Sequence, residues 1–272
     1  ADECAIFSSG MAAITTALFA IVKPGDLVLF SEPLYSGTDK FLKSFLTAFG
    51  VKTKGFGPNQ KIEDISRKER DQISVIFLET PANPTNDLFD IKYWSDIAAK
   101  LSKEKERKVL VMTDNSFLGP LFQHPLKHGA DIVLYSVTKF IGGHSDLIAG
   151  AALGSKQIIS QIKQARGLLG NMSDTFTVWQ ILRSLETLKI RMTVQMENAK
   201  HVAELLKSHK GVKHVYYLDY LEKGSSRYYT YKRQCLAPGS IVSFDIKGGQ
   251  ETAYKFLNTL KLFKLAVSLV ST

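Results

Sequence analysis

Apolar residues in this chain fall into short, nearly unbroken runs separated by polar stretches of changing period. Leu27–Phe30 (LVLF), Val75–Leu78 (VIFL), Val109–Met112 (VLVM), Ile132–Tyr135 (IVLY) and Ala149–Leu153 are continuous rather than alternating. Runs this short and this apolar read as strands covered on both faces, as in a parallel sheet. Between several of them lie segments with helical spacing: Met11–Val22, Gly37–Phe49 and Tyr93–Leu101. Strands alternating with helices predict an α/β fold with a mostly parallel central sheet and helices on both faces.

The pattern changes after Lys156. Helices are predicted over Ile158–Ala165, Thr177–Leu188 and Arg191–Ser208. Strands Val212–Tyr217 and Ile241–Ile246, a helix over Glu251–Leu260 and a last strand Lys264–Ser268 follow. This predicts a large α/β domain over 1–188 and part of a smaller α+β domain over 189–272. The chain opens at Ala1-Asp2-Glu3 without Met, and an N-terminal piece of the large domain is expected to precede it. There is no internal repeat and no low-complexity segment.

Composition narrows the classes. With 44% hydrophobic and 22% charged residues in 272, the chain has the make-up of an ordinary globular protein. No apolar run approaches the ~18 residues that a membrane span needs. The net charge of +9 would suit a polyanion, but the basic residues are dispersed, and Lys103–Lys108 is interrupted by Glu104 and Glu106. No nucleic-acid motif accompanies the charge, so neither nucleic acid nor a membrane is expected as a partner. Two cysteines, Cys4 and Cys235, form no disulfide framework and fit a reducing, cytoplasmic setting. His124 and His128 are four apart, a spacing that can share a metal on a helix face. Pro125 instead reads as a helix start with His124 as its cap, no third ligand is evident, and no metal site is expected.

Ligands of parallel sheets gather at the carboxyl ends of the strands, so the residues that follow each predicted strand carry the chemical argument. Ser136-Val137-Thr138-Lys139 follows Ile132–Tyr135. If the strand runs on through it, Ser136 and Thr138 face one way and offer two hydroxyls to a phosphate. Lys139 then reaches an aldehyde near that phosphate and forms a Schiff base. Taken alone, the same run is a strand end with a surface lysine. Asp114, at another strand end, can keep a pyridinium nitrogen protonated; alone, it caps a turn. Ser9-Gly10-Met11 opens a helix whose free N–H groups suit a phosphate, with Gly10 allowing close approach. Tyr35 can stack on a flat ring; alone, it is a loop tyrosine.

Taken in order, these segments resemble the PLP-dependent Cys/Met metabolism family, where PLP is pyridoxal 5'-phosphate. The resemblance lies in Ser9-Gly10-Met11, Leu34-Tyr35, Glu79-Thr80-Pro81-Ala82-Asn83-Pro84, Asp114-Asn115-Ser116-Phe117 and Ser136-Val137-Thr138-Lys139-Phe140-Ile141-Gly142-Gly143-His144-Ser145-Asp146. Leu188–Met192, Lys232-Arg233-Gln234 and Phe263–Leu269 look similar too. The family includes cystathionine γ-synthase, cystathionine γ- and β-lyases, methionine γ-lyase and homoserine sulfhydrylases.

The resemblance implies PLP fold type I and a role for each matching residue. Lys139 would hold the cofactor as a Schiff base and then shuttle protons. Asp114 would pair with the pyridine nitrogen, and Tyr35 would stack on the ring and assist proton transfer. Gly10, Met11, Ser136 and Thr138 would hold the phosphate, Asn83 the ring hydroxyl oxygen, and Ser268 would lie near the substrate. The family's N-terminal Tyr-Ser-Arg segment, which completes a neighbouring subunit's phosphate site, has no counterpart here, nor has its C-terminal carboxylate-binding arginine. Either this is an incomplete copy or those segments lie outside the sequence.

The implied function is a carbon–sulfur lyase acting on sulfur amino acids by γ-elimination from cystathionine or methionine. The alternative is a γ-replacement transferase of the cystathionine γ-synthase or homoserine sulfhydrylase type. Methionine γ-lyases often carry cysteine where Gly37 stands, and cystathionine γ-lyases glycine, which favours a cystathionine-type lyase. An aminotransferase of the same fold would share the lysine and aspartate, but the Ser-x-Thr-Lys run followed by Gly-Gly-His-Ser-Asp favours the sulfur family. A cofactor-free binding protein would have no need of Lys139, Asp114 and Tyr35 together. The expected assembly is a homo-oligomer, a dimer of dimers.

Overall fold

The structure, a computed structural model, describes residues 1–105 and 107–266. At its centre is a seven-stranded sheet in the order β1-β7-β6-β5-β4-β2-β3. The strands are β1 (Glu3–Phe7), β2 (Leu27–Ser31), β3 (Lys52–Phe56), β4 (Ile73–Glu79), β5 (Leu110–Asp114), β6 (Ile132–Ser136) and β7 (Gly150–Gly154). Strands β3, β2, β4, β5 and β6 pair in parallel, whereas β7 runs antiparallel to both β6 and β1.

Every residue of β2, β4 and β5 is buried, which explains why these strands are apolar without alternation: successive side chains enter two different cores. On one face Val28, Phe30, Val75, Phe77 and Met112 meet Ala13, Ala17 and Leu18 of helix α1 (Gly10–Ile21), together with Ile158, Ile159 and Ile162 of the helix Lys156–Leu169. On the other, Leu29, Ile76, Leu78 and Val111 meet Ile91, Trp94, Ala98 and Leu101. Those four recur at the spacing of one helical face on the helix Ile91–Lys105. Each fully buried phenylalanine, such as Phe30 or Phe77, contributes roughly 1.5–3 kcal/mol relative to exposure.

Beyond the sheet, the helix Thr175–Glu186 leads to the long helix Leu188–Ser208. The latter packs Ala199 and Ala203 against Val215 and Tyr217 beside a two-stranded antiparallel sheet of β8 (Val212–Tyr216) and β9 (Ser243–Ile246). Met192 and Met196 of the same helix join Leu118, Phe122 and Phe140, which ties this part to the segments that follow β5 and β6.

Four expectations differ from the structure. The hydrophobic pattern does not announce β1 or β3, because both are edge strands; β3 reads Lys-Thr-Lys-Gly-Phe, carrying the charge that edge strands commonly bear. The helix expected over Gly37–Phe49 is split into an α-helical turn Ser36–Lys40 and a π-helical stretch Phe41–Leu46, where Phe41, Phe45 and Phe49 cluster with Phe19. The helix Ser226–Gln234 was not expected: its run Ser-Arg-Tyr-Tyr-Thr-Tyr-Lys-Arg-Gln has too few aliphatic positions to show a stripe. Of the strand expected at Lys264–Ser268, residues 264–266 are in no strand, and the rest lies outside the described residues.

Candidate active site

Because β2, β4, β5 and β6 are parallel, their carboxyl ends lie along one edge of the sheet. Strand β1 joins them there: it is antiparallel to β7, which is antiparallel to β6. The edge therefore gathers the residues that follow β1, β2, β4, β5 and β6, and all the candidate residues in the described part of the chain come from these five places.

Glu79 and Asp114 end neighbouring strands in direct register. Both are buried, and burial pushes both carboxyls above the usual carboxylate range; the Asp114 charge adds to the rise at Glu79, which reaches about 8. Asp114 is oriented by Ser116, whose N–H and hydroxyl both donate to Oδ1, at 3.0 and 2.7 Å. The Ser116 hydroxyl in turn accepts the N–H of Ser136 at 2.7 Å. The carboxylate at the end of β5 is thus linked to the end of β6.

Ser136 stands against Gly10. A Cβ on Gly10 would lie 2.9 Å from Ser136 Cβ and 3.0 Å from its Oγ, so only glycine fits there without displacement. Ser9 caps α1 by taking the N–H of Ala12 at 3.0 Å. The N–H groups of Gly10 and Met11 belong to the first turn, where no carbonyl precedes them to accept. They are left for an anion, next to the Ser136 hydroxyl and at the positive end of the helix dipole. Gly10→Ala is expected to cost roughly 1–3 kcal/mol of stability by overpacking and to weaken PLP binding. Denaturant unfolding and a PLP titration check this; an unchanged midpoint with unchanged affinity would contradict it.

Met11 leads to the Tyr35 loop. The Thr38 hydroxyl lies 3.7 Å from Met11 Sδ. A Cβ on Gly37 would fall 3.2 Å from Met11 Sδ and 2.6 Å from Tyr35 Cε1. Tyr35 is 49% exposed, while its N–H is held by Glu79 Oε2 at 2.8 Å. The other oxygen of Glu79 accepts the N–H of Asn83 at 3.2 Å.

Lys139 departs from one expectation. The strand does not run on through Ser136-Val137-Thr138-Lys139; β6 ends at Ser136 and the chain turns, with Lys139 N–H donating to Ser136 O at 3.1 Å and Gly142 N–H to Val137 O at 2.7 Å. The two-residue alternation therefore does not align Ser136 and Thr138. The Thr138 hydroxyl donates to Ala149 O at 3.2 Å and accepts Ala149 N–H at 3.0 Å, so it braces the turn against the entry to β7. Lys139 is half-buried, and burial pushes its ammonium below the usual lysine range, which favours the neutral, nucleophilic amine.

Gly10, Met11, Tyr35, Asn83, Asp114, Ser136, Thr138 and Lys139 are thus joined through neighbouring contacts at one edge; Ser268 lies outside the described residues. Open N–H groups beside a hydroxyl, a buried carboxylate and a lysine of lowered basicity fit the phosphate, ring nitrogen and aldehyde of PLP. Two residues of the cluster had no role assigned from the sequence, Glu79 and Ser116. The signal for Ser116 was the Asp-x-Ser spacing of a side chain that bonds back two residues; for Glu79 it was an acid closing an otherwise apolar strand. His124 caps the short 3-10 turn Pro125–His128, and its Nε2 lies 3.0 Å from Pro120 O. Among the described residues no three metal-ligating side chains cluster, and no helix is long and apolar enough to cross a membrane.

Comparison with known proteins bears on the family and the fold. A family model for Cys/Met metabolism PLP-dependent enzymes matches residues 1–272. The chain is 37% identical over its whole length to an L-methionine gamma-lyase of Porphyromonas gingivalis, of which it covers 66%. It is 36% identical over 97% of its length to a cystathionine gamma-lyase of Bacillus subtilis, covering 67% of that protein. The crystal structure of a cystathionine gamma synthase from Xanthomonas oryzae pv. oryzae, in complex with aminoacrylate and cysteine, superposes with a TM-score of 0.90 at 30% identity, over 98% of this chain and 67% of that one. The chain thus spans about two thirds of the length of the curated relatives it matches. On the family model and these relatives, the chain belongs to the Cys/Met metabolism PLP-dependent enzyme family.

Proposed function

We propose that this chain is part of a PLP-dependent carbon–sulfur lyase acting on sulfur amino acids, with elimination from Cγ. The observation that carries the reading is the juxtaposition of Lys139, Asp114 and the Gly10–Ser136 anion site at one sheet edge. When bound, PLP supplies an aldehyde and an electron-withdrawing ring. Lys139 would hold the cofactor through its aldehyde, and its amine would move protons at the substrate's Cα and Cβ. Asp114, fixed by Ser116, keeps the ring nitrogen protonated. Tyr35 covers the ring and assists proton transfer, and Asn83 bonds the ring hydroxyl oxygen. The N–H groups of Gly10 and Met11 and the Ser136 hydroxyl bind the phosphate; Thr138 joins them if its hydroxyl turns from Ala149. Ser268 is assigned to the substrate side.

Cystathionine is proposed as the first substrate, with Gly37 as the local argument: a cysteine there would push against Tyr35 Cε1 and Met11 Sδ. Gamma-replacement is the second reading, since a cystathionine gamma synthase shares this fold with a TM-score of 0.90, as a cystathionine gamma-lyase does with 0.88. Steady-state assays with cystathionine, methionine, and an O-acyl-homoserine plus cysteine are expected to show keto acid and ammonia from cystathionine. Turnover of the O-acyl-homoserine alone would establish the synthase reading instead.

Residues 1–188 are proposed as the PLP-binding domain and 189–272 as part of a second one. A homo-oligomer, a dimer of dimers, is supported by Phe176, Trp179, Leu182 and Leu185, which are exposed at helical spacing along Thr175–Glu186. Light scattering on the protein is expected to show at least a dimer; a fully active monomer would refute the assembly. Two free cysteines suit a cytoplasmic setting.

A further inference from the structure

We propose that Glu79 is a positioning residue that ties two loops of the site, those carrying Tyr35 and Asn83, to the end of β4 beside Asp114. Its two oxygens divide the work: Oε2 accepts the N–H of Tyr35 at 2.8 Å and Oε1 that of Asn83 at 3.2 Å. The first bond joins residues 44 apart in sequence, so it fixes tertiary structure rather than a local turn. The backbone N–H of Glu79 donates to Ser31 Oγ at 2.9 Å, which anchors the clamp to the end of β2 as well.

For stability alone, this is a costly side chain to keep. It is buried, its hydrogen-bond partners among the described residues are backbone N–H groups rather than a cation, and it adjoins a second buried carboxyl in register. Burying a carboxyl's charge without a cation is expensive, and a like charge beside it adds to the cost, so Glu79 keeps its proton up to about pH 8 while both oxygens retain acceptor capacity. Glutamine would fit the space, but it offers one acceptor oxygen where two N–H groups need one each, and its own N–H₂ would oppose the second donor. A carboxyl is the only side chain of this length with two acceptor oxygens, which ties its presence to holding both loops at once. The inference rests on the proposed function in one respect: Tyr35 and Asn83 are taken to face the cofactor.

The test compares the unmodified chain with Glu79→Gln and Glu79→Ala. Amide hydrogen exchange at residues 35 and 83 is measured first without PLP, followed by PLP affinity and the visible circular dichroism of the loaded protein. In Glu79→Gln one of the two amides is expected to exchange about tenfold faster, the loss of one net hydrogen bond. In Glu79→Ala both do. PLP affinity falls about tenfold in either variant, and the visible dichroism weakens as the Tyr35 ring loses its place. Because glutamine keeps the volume, that variant decides the matter even if alanine fails to fold. Unchanged exchange at both amides overturns the clamp. Faster exchange with unchanged PLP affinity and dichroism reduces Glu79 to a structural part and overturns the positioning role. If the unmodified chain takes up no PLP, the functional reading fails instead, and the exchange result still decides whether Glu79 ties the two loops.

Discussion

Replacing Lys139 by alanine is expected to lower turnover on the order of 10⁴-fold or more. The argument is the double duty assigned to one amine. A positioned general acid–base alone accounts for roughly 10²–10⁴-fold, and alanine also removes the nucleophile that holds the cofactor. The turn after β6 supports the assignment, since it half-buries Lys139 and thereby lowers its basicity. Borohydride reduction of the PLP-loaded protein followed by tryptic mapping locates the attachment. Trypsin cuts after Lys127 and Lys156 and is blocked at a modified Lys139, so the label should appear on a peptide spanning 128–156. Label on any other lysine, or an alanine variant with near-normal turnover, would end the proposal.

Asp114→Asn is expected to keep measurable PLP binding and lose about 10- to 10³-fold in turnover. A carboxylate near a cationic nitrogen raises that nitrogen's pKa by about 1–3 units, and the neutral amide forfeits this. Stability should move the opposite way. Burial holds the Asp114 carboxyl above its ordinary range and, with Asp114, pushes Glu79 up to about 8. The folded state of PLP-free protein therefore binds protons that the unfolded state has released, and stability falls as pH rises from the ordinary carboxylate range towards 8. Asp114→Asn removes one of the two acids and should flatten that decline, leaving the variant more stable than the original at pH 8. Thermal unfolding between pH 5 and 8 measures the slopes. Equal slopes, or unchanged turnover, would contradict the role assigned to Asp114.

The sheet interior was legible in the sequence because it is buried on both faces. Leu27–Phe30, Val75–Leu78 and Ile132–Tyr135 are apolar throughout for that reason and lie within β2, β4 and β6. Edge strands β1 and β3 were not legible, since an edge strand bears charge and loses the pattern. Each candidate site residue in the described part of the chain closes or follows a strand, in keeping with the rule that ligands gather at the carboxyl ends. The inference that failed was local: the alternation of Ser136 and Thr138 assumed an extended backbone where the chain turns.

By itself, the sequence determined the α/β class, the family resemblance and the residue types offered to a phosphate, a ring nitrogen and an aldehyde. These depend on local spacing and on which residues close each strand. Only the tertiary structure decided which groups touch. The parallel register sets Glu79 beside Asp114, 35 positions apart in the chain; burial raises both carboxyls, and the Asp114 charge adds to the rise at Glu79. The approach of α1 to β6 makes Gly10 the residue that fits against Ser136. The bond from Tyr35 N–H to Glu79 spans 44 residues. Burial and through-space charge are properties of neighbours in space, and no pattern along the chain encodes the distance between two strand ends.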